Sequence, residues 1–509
     1  MAPGVGRHVD SGRIIAYSSR RMTLDDLLRS IGPLWPTLLA ALGILVALGT
    51  SAHIVLFKND VRAAIGWAGL VWLAPFIGAV LYWLLGINRI RRRAGRIRRG
   101  NALAQDFTQE IALKQEEATL LPATMPTRFG ALATAVGTTS GQSLVPGNTV
   151  EPLIDGDQTY PAMLAAIDAA GTTIGMTSYI FDHDRAGLQF ADALARAAAR
   201  GVEVRVLIDG VGARYSKPPI TGVLTARGVR NARFLPHIFP LANPYFNLRS
   251  HRKIMVVDGR VGFVGGMNVR EGCVLAVPSK EPTQDIHARI TGPVVRQFVE
   301  TFAFDWHFTT KELLEGPGWY PQLEPTGPVV ARGIPDGPDE DFETLHDTIL
   351  SALSIAHHTV QIVTPYFLPD EPLIDALRVA AMRGVRVDIV LPEKNNLTVV
   401  AWAAIAQLWH VLRWGVRVYF SRPPFDHSKI MVVDGTWSMI GSANWDPRSL
   451  RLNFEYNVEC YDAALAQELG AVVQRKIATG KPYTPADWQR QSLFQKLRGG
   501  VARLGQPYL

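Results

Sequence analysis

The chain has 509 residues, 48% of them apolar and 19% charged, with a formal net charge of +7. That length exceeds one hydrophobic core, and that apolar content excludes a disordered chain, so two or three folded domains are expected. The two cysteines, Cys273 and Cys460, show no CxxC spacing, which excludes a disulfide framework and a cysteine-based metal site.

A polar tail over residues 1–31 precedes two runs, 32–57 and 64–88, that contain no Asp, Glu, Lys or Arg. About 20 helical residues cross the ~30 Å hydrocarbon layer, so each run is long enough to span. The short link between them predicts a two-helix transmembrane hairpin, with Trp35, Trp67, Tyr82 and Trp83 as interfacial aromatics. Residues 89–99 hold seven arginines and no acid. The positive-inside rule places that cluster, the N-terminal tail and everything after residue 100 in the cytoplasm.

Residues 101–147 read as a linker: a polar helix over Leu103–Leu121, then a Gly/Thr/Ser-rich connector over Thr134–Gly147. A first α/β unit follows. Helix is expected over Pro161–Ala170, strand over Thr173–Phe181, helix over Leu188–Arg200 and strand over Val202–Asp209. The same order returns as helix Phe342–Ala356, strand Thr359–Tyr366, helix Pro372–Arg383 and strand Val385–Leu391. The Pro/Gly-rich stretch 316–340 lies between them as the expected domain connection. Alternating helices and strands imply a mostly parallel sheet covered by helices in each unit. The expected fold class is therefore α/β: two domains related by internal duplication, residues 148–320 and 321–485, preceded by the membrane segment 32–100. A basic amphipathic tail, 486–509, ends the chain.

After each unit comes the same sparse motif, HxKxxxxD. The first copy is His251, Lys253 and Asp258; the second is His427, Lys429 and Asp434. At identical spacing each is followed by a glycine-containing turn ending in Asn, Asn268 and then Asn444. One copy is weak evidence, whereas two with matching trailers indicate a duplicated half-site. In a strand, residues i and i+2 share a face, so His and Lys of each motif aim at one point. Asp258 and Asp434 have the opposite parity and precede Gly259 and Gly435, an Asp-Gly hairpin signal, so they read as structural members of the catalytic motif. Two facing halves would assemble two His, two Lys and two Asn. That set suits a phosphodiester: the lysines and asparagines hold the non-bridging oxygens, one neutral His attacks phosphorus and the other, protonated, serves the leaving oxygen. The chain has 41 Arg and only 11 Lys, yet each motif uses Lys, a compact point charge. The lysines supply the positive charge and no HExxH-like spacing occurs, so neither a metal nor another cofactor is expected.

These residues resemble the phospholipase D superfamily, and the chain as a whole is similar to its bacterial cardiolipin synthases. The likeness rests on GWAGLVWLAPFIGAVLYWLLG in the second apolar run, YFNLRSHRKIMVVDGRVGFVGGMN at the first motif, TPYFLPD at 364–370 and FDHSKIMVVDGTWSMIGSANWDPRSLRLNFEYNVE at the second. The resemblance implies two phospholipase D-like domains and transfer of a phosphatidyl group between two phosphatidylglycerol molecules through a phosphatidyl-histidine, without cofactor. It puts the nucleophile on His251 and the acid, then base, on His427. Lys253, Lys429, Asn268 and Asn444 fall on phosphate-binding positions. Asp285 and Glu455 fall on the downstream carboxylates that orient the histidines, although Pro282-Thr283-Gln284 stands before Asp285 where an aromatic is usual. It further implies phospholipid substrates, membrane partners and a multi-pass protein of the bacterial inner membrane. A phospholipase D hydrolysing the same intermediate to phosphatidic acid would use identical residues. A membrane-tethered nuclease is disfavoured, because no basic, aromatic-interleaved groove is visible in the catalytic region, and no nucleic-acid partner is expected. The apolar stretches 236–248 and 397–414 flank the two motifs and suggest a lipid-side entrance.

Overall fold

The computed structural model describes residues 35–58, 61–86, 113–236, 248–338 and 343–506. The N-terminal tail, the arginine cluster and most of the apolar stretch 236–248 lie outside the described residues. Two compact units emerge, 1–89 and 90–509.

In the first unit, Trp35–Phe57 forms one 23-residue helix, long and apolar enough to cross a membrane. Its buried positions, Gly43, Ala47, Thr50 and Ile54, form one stripe at helical spacing, while most of its large side chains are exposed. The second run differs from the expected single span. It breaks into Val61–Leu73 and Pro75–Leu81, followed by a π-helical turn at Tyr82–Gly86. Pro75 cannot donate its backbone N–H, and Ala74 leaves the helical region at φ −143°, ψ 79°. The chain then doubles back. A Cβ on Gly78 would lie 2.8 Å from the Val71 Cα, a pair about 10 Å apart along a straight helix. Lys58 Nζ donates to the Gly86 carbonyl at 2.9 Å, so the end of the second run lies beside the end of the first.

The second unit is built on one long sheet, with a separate two-stranded pair beside it. Its first strands are β1 (Val145–Ile154), β2 (Thr173–Ser178), β3 (Glu203–Asp209), β4 (Asn231–Phe234), β5 (Arg249–Ser250), β6 (Ile254–Val257), β7 (Val261–Gly265), β8 (Thr283–Gln284) and β9 (Ile286–Thr291). The rest are β10 (Val329–Asp336), β11 (Thr359–Val363), β12 (Arg386–Pro392), β13 (Arg417–Ser421), β14 (Phe425–Asp426), β15 (Ile430–Val433), β16 (Trp437–Gly441), β17 (Asn453–Tyr461) and β18 (Lys481–Tyr483). The first half runs β1-β9-β7-β6-β2-β3-β4 and the second β10-β17-β16-β15-β11-β12-β13, with β18 outermost. The two orders match strand for strand, and antiparallel pairing of β1 with β10 joins them.

Both halves mix parallel and antiparallel pairs. β2-β3-β4 and β11-β12-β13 are parallel, whereas the motif hairpins β6-β7 and β15-β16 are antiparallel to their neighbours. The helices expected in each unit are present, as Asp155–Ala169 and Arg185–Ala199, then Thr344–Ile355 and Glu371–Met382. Two stretches read as connectors are ordered elements. Arg128–Ser140 is a helix whose Phe129, Leu132, Ala133 and Val136 enter the second half's core. Residues 329–336 form β10, all buried, despite Gly333 and Pro335. Gly333 is required there, because a Cβ would lie 2.0 Å from the Tyr456 hydroxyl. Pro335 is tolerated because β1 pairs only with the opening part of β10, at Val329 and Ala331.

Candidate active site

Each HxK lies just ahead of a motif strand, β6 or β15, and a tight hairpin turns that strand back. Asp258-Gly259 and Asp434-Gly435 all have positive φ, 52° and 59°, then 52° and 58°, the requirement of a type I′ turn. The Asp258 carboxylate accepts from the backbone N–H groups of Gly171, Thr172 and Thr173 at 2.7–2.9 Å and from the Thr172 hydroxyl. Asp434 accepts from His357, His358 and Thr359 at 2.7–2.9 Å and from Arg128 at 3.0 Å. Burial alone would raise both carboxyls, but these hydrogen bonds outweigh it and hold them below their usual range. Both aspartates therefore tie a motif hairpin to the strand beside it, at the end remote from the histidines.

Alternation then sends His251 and Lys253 one way and Arg252 the other. Arg252 is buried against Asp305 at 2.6 Å and the Glu455 carbonyl at 2.9 Å. In the second half Ser428 turns away likewise and bonds Asp426, itself paired with Lys476 at 2.7 Å. The His251 and His427 rings meet across the halves, with centroids 6.4 Å apart and planes at 79°.

The carboxylates cross over. His251 Nδ1 bonds Glu455 Oε2 of the second half at 3.0 Å, and His427 Nδ1 bonds Asp285 Oδ2 of the first at 2.8 Å. Backbone contacts cross as well, His251 N–H to the Phe454 carbonyl and His427 N–H to the Gln284 carbonyl, both at 2.8 Å. Short parallel pairs, β5 with β17 and β8 with β14, fix this register. Each histidine is thus oriented by the opposite half, and neither half holds a complete site alone.

The two carboxylates differ in their partners. Glu455 also accepts from the Ser442 hydroxyl at 2.5 Å and Asn453 Nδ2 at 3.1 Å. Burial would raise its pKa, but the attraction of His251 and Lys253 and the Ser442 hydroxyl leave it lowered. Asp285 has Gly266 where Glu455 has Ser442, and its carboxylate accepts the backbone N–H of Ile286 at 2.8 Å. Burial wins there and raises Asp285 to about 6. Both histidines are pushed down by burial and by Lys253 and Lys429, His427 further because the Glu455 carboxylate lifts His251 in part. Desolvation also lowers Lys253 to about 7 and Lys429 to about 8, against the pull of Glu455 and Asp285. The site is therefore a buried cluster of four bases whose charged forms a phosphate monoanion would stabilise. Each ammonium meanwhile donates to its own histidine's carbonyl, Lys253 to His251 at 2.6 Å and Lys429 to His427.

Asn268 and Asn444 are buried at the ends of the motif hairpins. Asn268 Oδ1 accepts from the Ile180 N–H, and Asn444 Nδ2 donates to the Ser449 hydroxyl. Two tyrosines complete the walls without having been singled out from sequence. Tyr179 packs edge-on to His251 (5.2 Å) beneath the Lys253 ammonium (5.6 Å), and Tyr366 packs edge-on to His427 (6.4 Å). Their signal was a second repeat, Thr-x-Tyr, at Thr177–Tyr179 and Thr364–Tyr366, where β2 and β11 end. Of the apolar flanks, Thr398–Leu412 is a helix half sunk into the core. Among the described residues no cluster of His, Cys, Asp and Glu is arranged to hold a metal ion.

Facing His-Lys pairs on a continuous mixed sheet define a phospholipase D-like α/β protein. The family model described as the cardiolipin synthase, phospholipase D-like domain matches residues 163–306 and again 349–477. Cardiolipin synthase A of Pseudomonas entomophila is 33% identical over 472 residues, covering 93% of this chain and 97% of that one. The major cardiolipin synthase of Bacillus subtilis is 30% identical over 492 residues, 94% of this chain and 100% of that one. The chain belongs to the cardiolipin synthase family. In fold it is similar to the crystal structure of phosphatidylserine synthase from Haemophilus influenzae, with TM-score 0.54 and 15% identity over 74% of this chain and 100% of that one.

Proposed function

We propose that this chain is a membrane phosphatidyltransferase that makes cardiolipin and glycerol from two phosphatidylglycerols. The observation that carries this reading is the crossed pair of His-carboxylate dyads facing one another with a lysine beside each. The phosphate of one lipid sits between Lys253 and Lys429, with Asn268 and Asn444 at its remaining oxygens. His251 Nε2 attacks phosphorus, and the bond to the head-group glycerol oxygen breaks as His427 delivers a proton to that oxygen. The primary hydroxyl of a second phosphatidylglycerol then attacks, its proton passes to His427, and the phosphorus–nitrogen bond breaks. The fuller donor set around Glu455 supports His251 as the nucleophile, because an ionised carboxylate on Nδ1–H raises electron density at Nε2.

Internal duplication is part of this proposal, supported by matching strand orders and a twice-matching family model. So is anchoring by residues 32–88 in the bacterial inner membrane. Two crossings would keep both termini cytoplasmic, as the arginines after residue 88 favour, whereas the bend at Ala74–Pro75 favours one crossing plus a re-entrant turn. Protease-accessible tags at the two termini decide: the same face supports two crossings, opposite faces support one. The activity is tested by mass spectrometry of lipid products after incubating purified protein with phosphatidylglycerol, alone and with phosphatidylethanolamine. Cardiolipin with stoichiometric glycerol is expected. Phosphatidic acid as the main product would make the protein a hydrolase.

A further inference from the structure

The C-terminal helix, Leu493–Leu504, is built inside out. It buries Gly499 and Ala502, two of its three smallest residues, and exposes Leu493, Phe494, Leu497, Val501 and Leu504 by 59–79%. A surface helix of a soluble domain does the reverse. At 3.6 residues per turn the five exposed residues fall within an arc of about 100°. Gly499 faces the helix Thr398–Leu412 so closely that a Cβ would lie 3.0 Å from both Ala406 Cβ and the Trp402 carbonyl oxygen. The small residues are thus what seats this helix, and the large ones take no part in seating it. A capping box between Ser492 and Gln495 fixes its start.

Cations border the apolar arc on both sides. Arg498 lies along one edge, its guanidinium 4.2 Å from the Trp402 ring centroid. Lys496, 4.7 Å from the Trp488 ring centroid, and Arg503, bonded to His410 at 2.8 Å, lie along the other. From residue 490 to 509 the chain has three Arg, one Lys and no acid. An apolar stripe with cations and indole rings along its rim matches the boundary between head groups and acyl chains of an anionic bilayer. The helix also lies next to the chemistry. Ala502 packs with Leu368, Val400, Ala403 and Ala404 in a cluster that Tyr366 leans on, and Tyr366 is the wall of His427. Gln506 Nε2 donates to the carbonyls of Leu368 and Pro369, in the same loop as Tyr366.

We propose that the outward face of Leu493–Leu504 is a second membrane contact, which docks the catalytic unit on an anionic phospholipid surface beside the His427 wall of the site. This rests on the phosphatidyltransferase reading, whose lipid substrate is itself anionic. The test uses the full-length protein reconstituted in phosphatidylglycerol-containing vesicles, with an environment-sensitive fluorophore on L497C or V501C. The native cysteines are buried and do not compete for label. E468C, on an exposed position of the helix Ala463–Thr479, is the reference. Labels at 497 and 501 should shift to the blue and be quenched by head-group-proximal spin-labelled lipids, and the label at 468 should not. Equal shielding in lipid-free detergent would overturn the proposal, since a second copy or another segment of the chain would then cover the face. Equal quenching in purely zwitterionic vesicles would overturn its anionic part, for which K496Q/R498Q/R503Q should weaken the contact by about fivefold per charge. L497E/V501E should lower transfer on vesicles at least about tenfold while changing it less than about twofold on monomeric short-chain phosphatidylglycerol. Loss on both substrates would overturn the docking role. A wild type that makes no cardiolipin from either substrate would end the phosphatidyltransferase reading, with the quenching result still standing by itself.

Discussion

The two halves of the site share a frame and differ in its furnishing. Both place a histidine two residues before a lysine, just ahead of a strand closed by an Asp-Gly turn, and both lend a carboxylate to the other half. Around His251, however, the carboxylate is a Glu held by a serine hydroxyl and an asparagine amide. Around His427 it is a shorter Asp approaching Gly266, with a backbone N–H in place of those side-chain donors. Two halves of matching strand order fix where the groups stand, and a few substituted donors set which protonation state each prefers. The proposed division into nucleophile and acid therefore draws its asymmetry from beside the histidines rather than from them.

The hardest test of that division is removal of each histidine. His251→Ala and His427→Ala should each lower turnover by at least about 10³-fold. Only the His427 variant should accumulate a phosphatidyl-enzyme, detected by intact-protein mass spectrometry after acid-free quench. Accumulation in the His251 variant would reverse the assignment.

The lysines come next. Lys253→Met should cost about 10²–10³-fold in kcat/KM, the scale of losing one transition-state donor. In the free enzyme, kcat/KM should decline as pH rises through about 7 to 8, where Lys253 and Lys429 lose their protons. Stability moves the other way. Lys253 titrates below its unfolded value of ~10.4, so between the two values the unfolded chain holds the extra proton. The buried charge thus destabilises the fold below about pH 7 and is relieved as pH rises. Lys253→Met should melt higher than wild type at pH 6, and the gap should close toward pH 10. A variant that melts lower at pH 6 would mean the ammonium is better satisfied than its burial suggests.

The unlike carboxylates give a finer contrast. Near pH 5, Glu455→Gln should lower kcat/KM by about 10²-fold and Asp285→Asn by about tenfold, since orienting carboxylates act chiefly when ionised and burial raises Asp285 to about 6. Equal losses would show that the donors around Glu455 do not matter to the chemistry.

Much of this was written in the sequence because the relevant periods are short. HxK has the two-residue period of a strand, and Asp-Gly names its own turn, so His251, Lys253, Asp258 and their repeats could be placed from spacing alone. What could not be read involves partners far apart in the chain. Nothing local says that Glu455 serves His251, 204 residues away, or that Asp285 serves His427, 142 away. The strand pair that welds the halves was hidden because β10 carries Gly333 and Pro335, residues that ordinarily argue against a central strand. The helix Arg128–Ser140 was hidden by its Gly and Thr content, though Phe129, Leu132 and Val136 repeat at helical spacing. The second apolar run was long enough to span by count, and its bend came from one residue, Pro75.

The smallest expected effect on activity concerns Asp258 and Asp434, invariant between the two copies of the motif yet turned away from the histidines. Both sit at φ 52°, a conformation that Asn tolerates, so Asp→Asn removes the charge without straining the turn. What is lost is a carboxylate accepting three backbone N–H groups, a loss of about 1–3 kcal/mol in stability. Asp434→Asn should cost slightly more than Asp258→Asn, because it also breaks the pair with Arg128. That addition is below about 1 kcal/mol, since Arg128 is partly solvated. Both carboxyls titrate below the unfolded value of ~3.9, so their contribution is complete at neutral pH and is lost as pH falls through their lowered folded values. Thermal melts at pH 7 should therefore separate each variant from wild type, and melts near pH 3 should bring them together. Turnover at a temperature where both are folded should stay within about threefold of wild type, because neither side chain reaches the phosphate. A hundredfold loss of kcat with an unchanged melting temperature would show that the motif aspartates act on the chemistry after all, and the two halves would then differ from the scheme above at the one position where they look most alike.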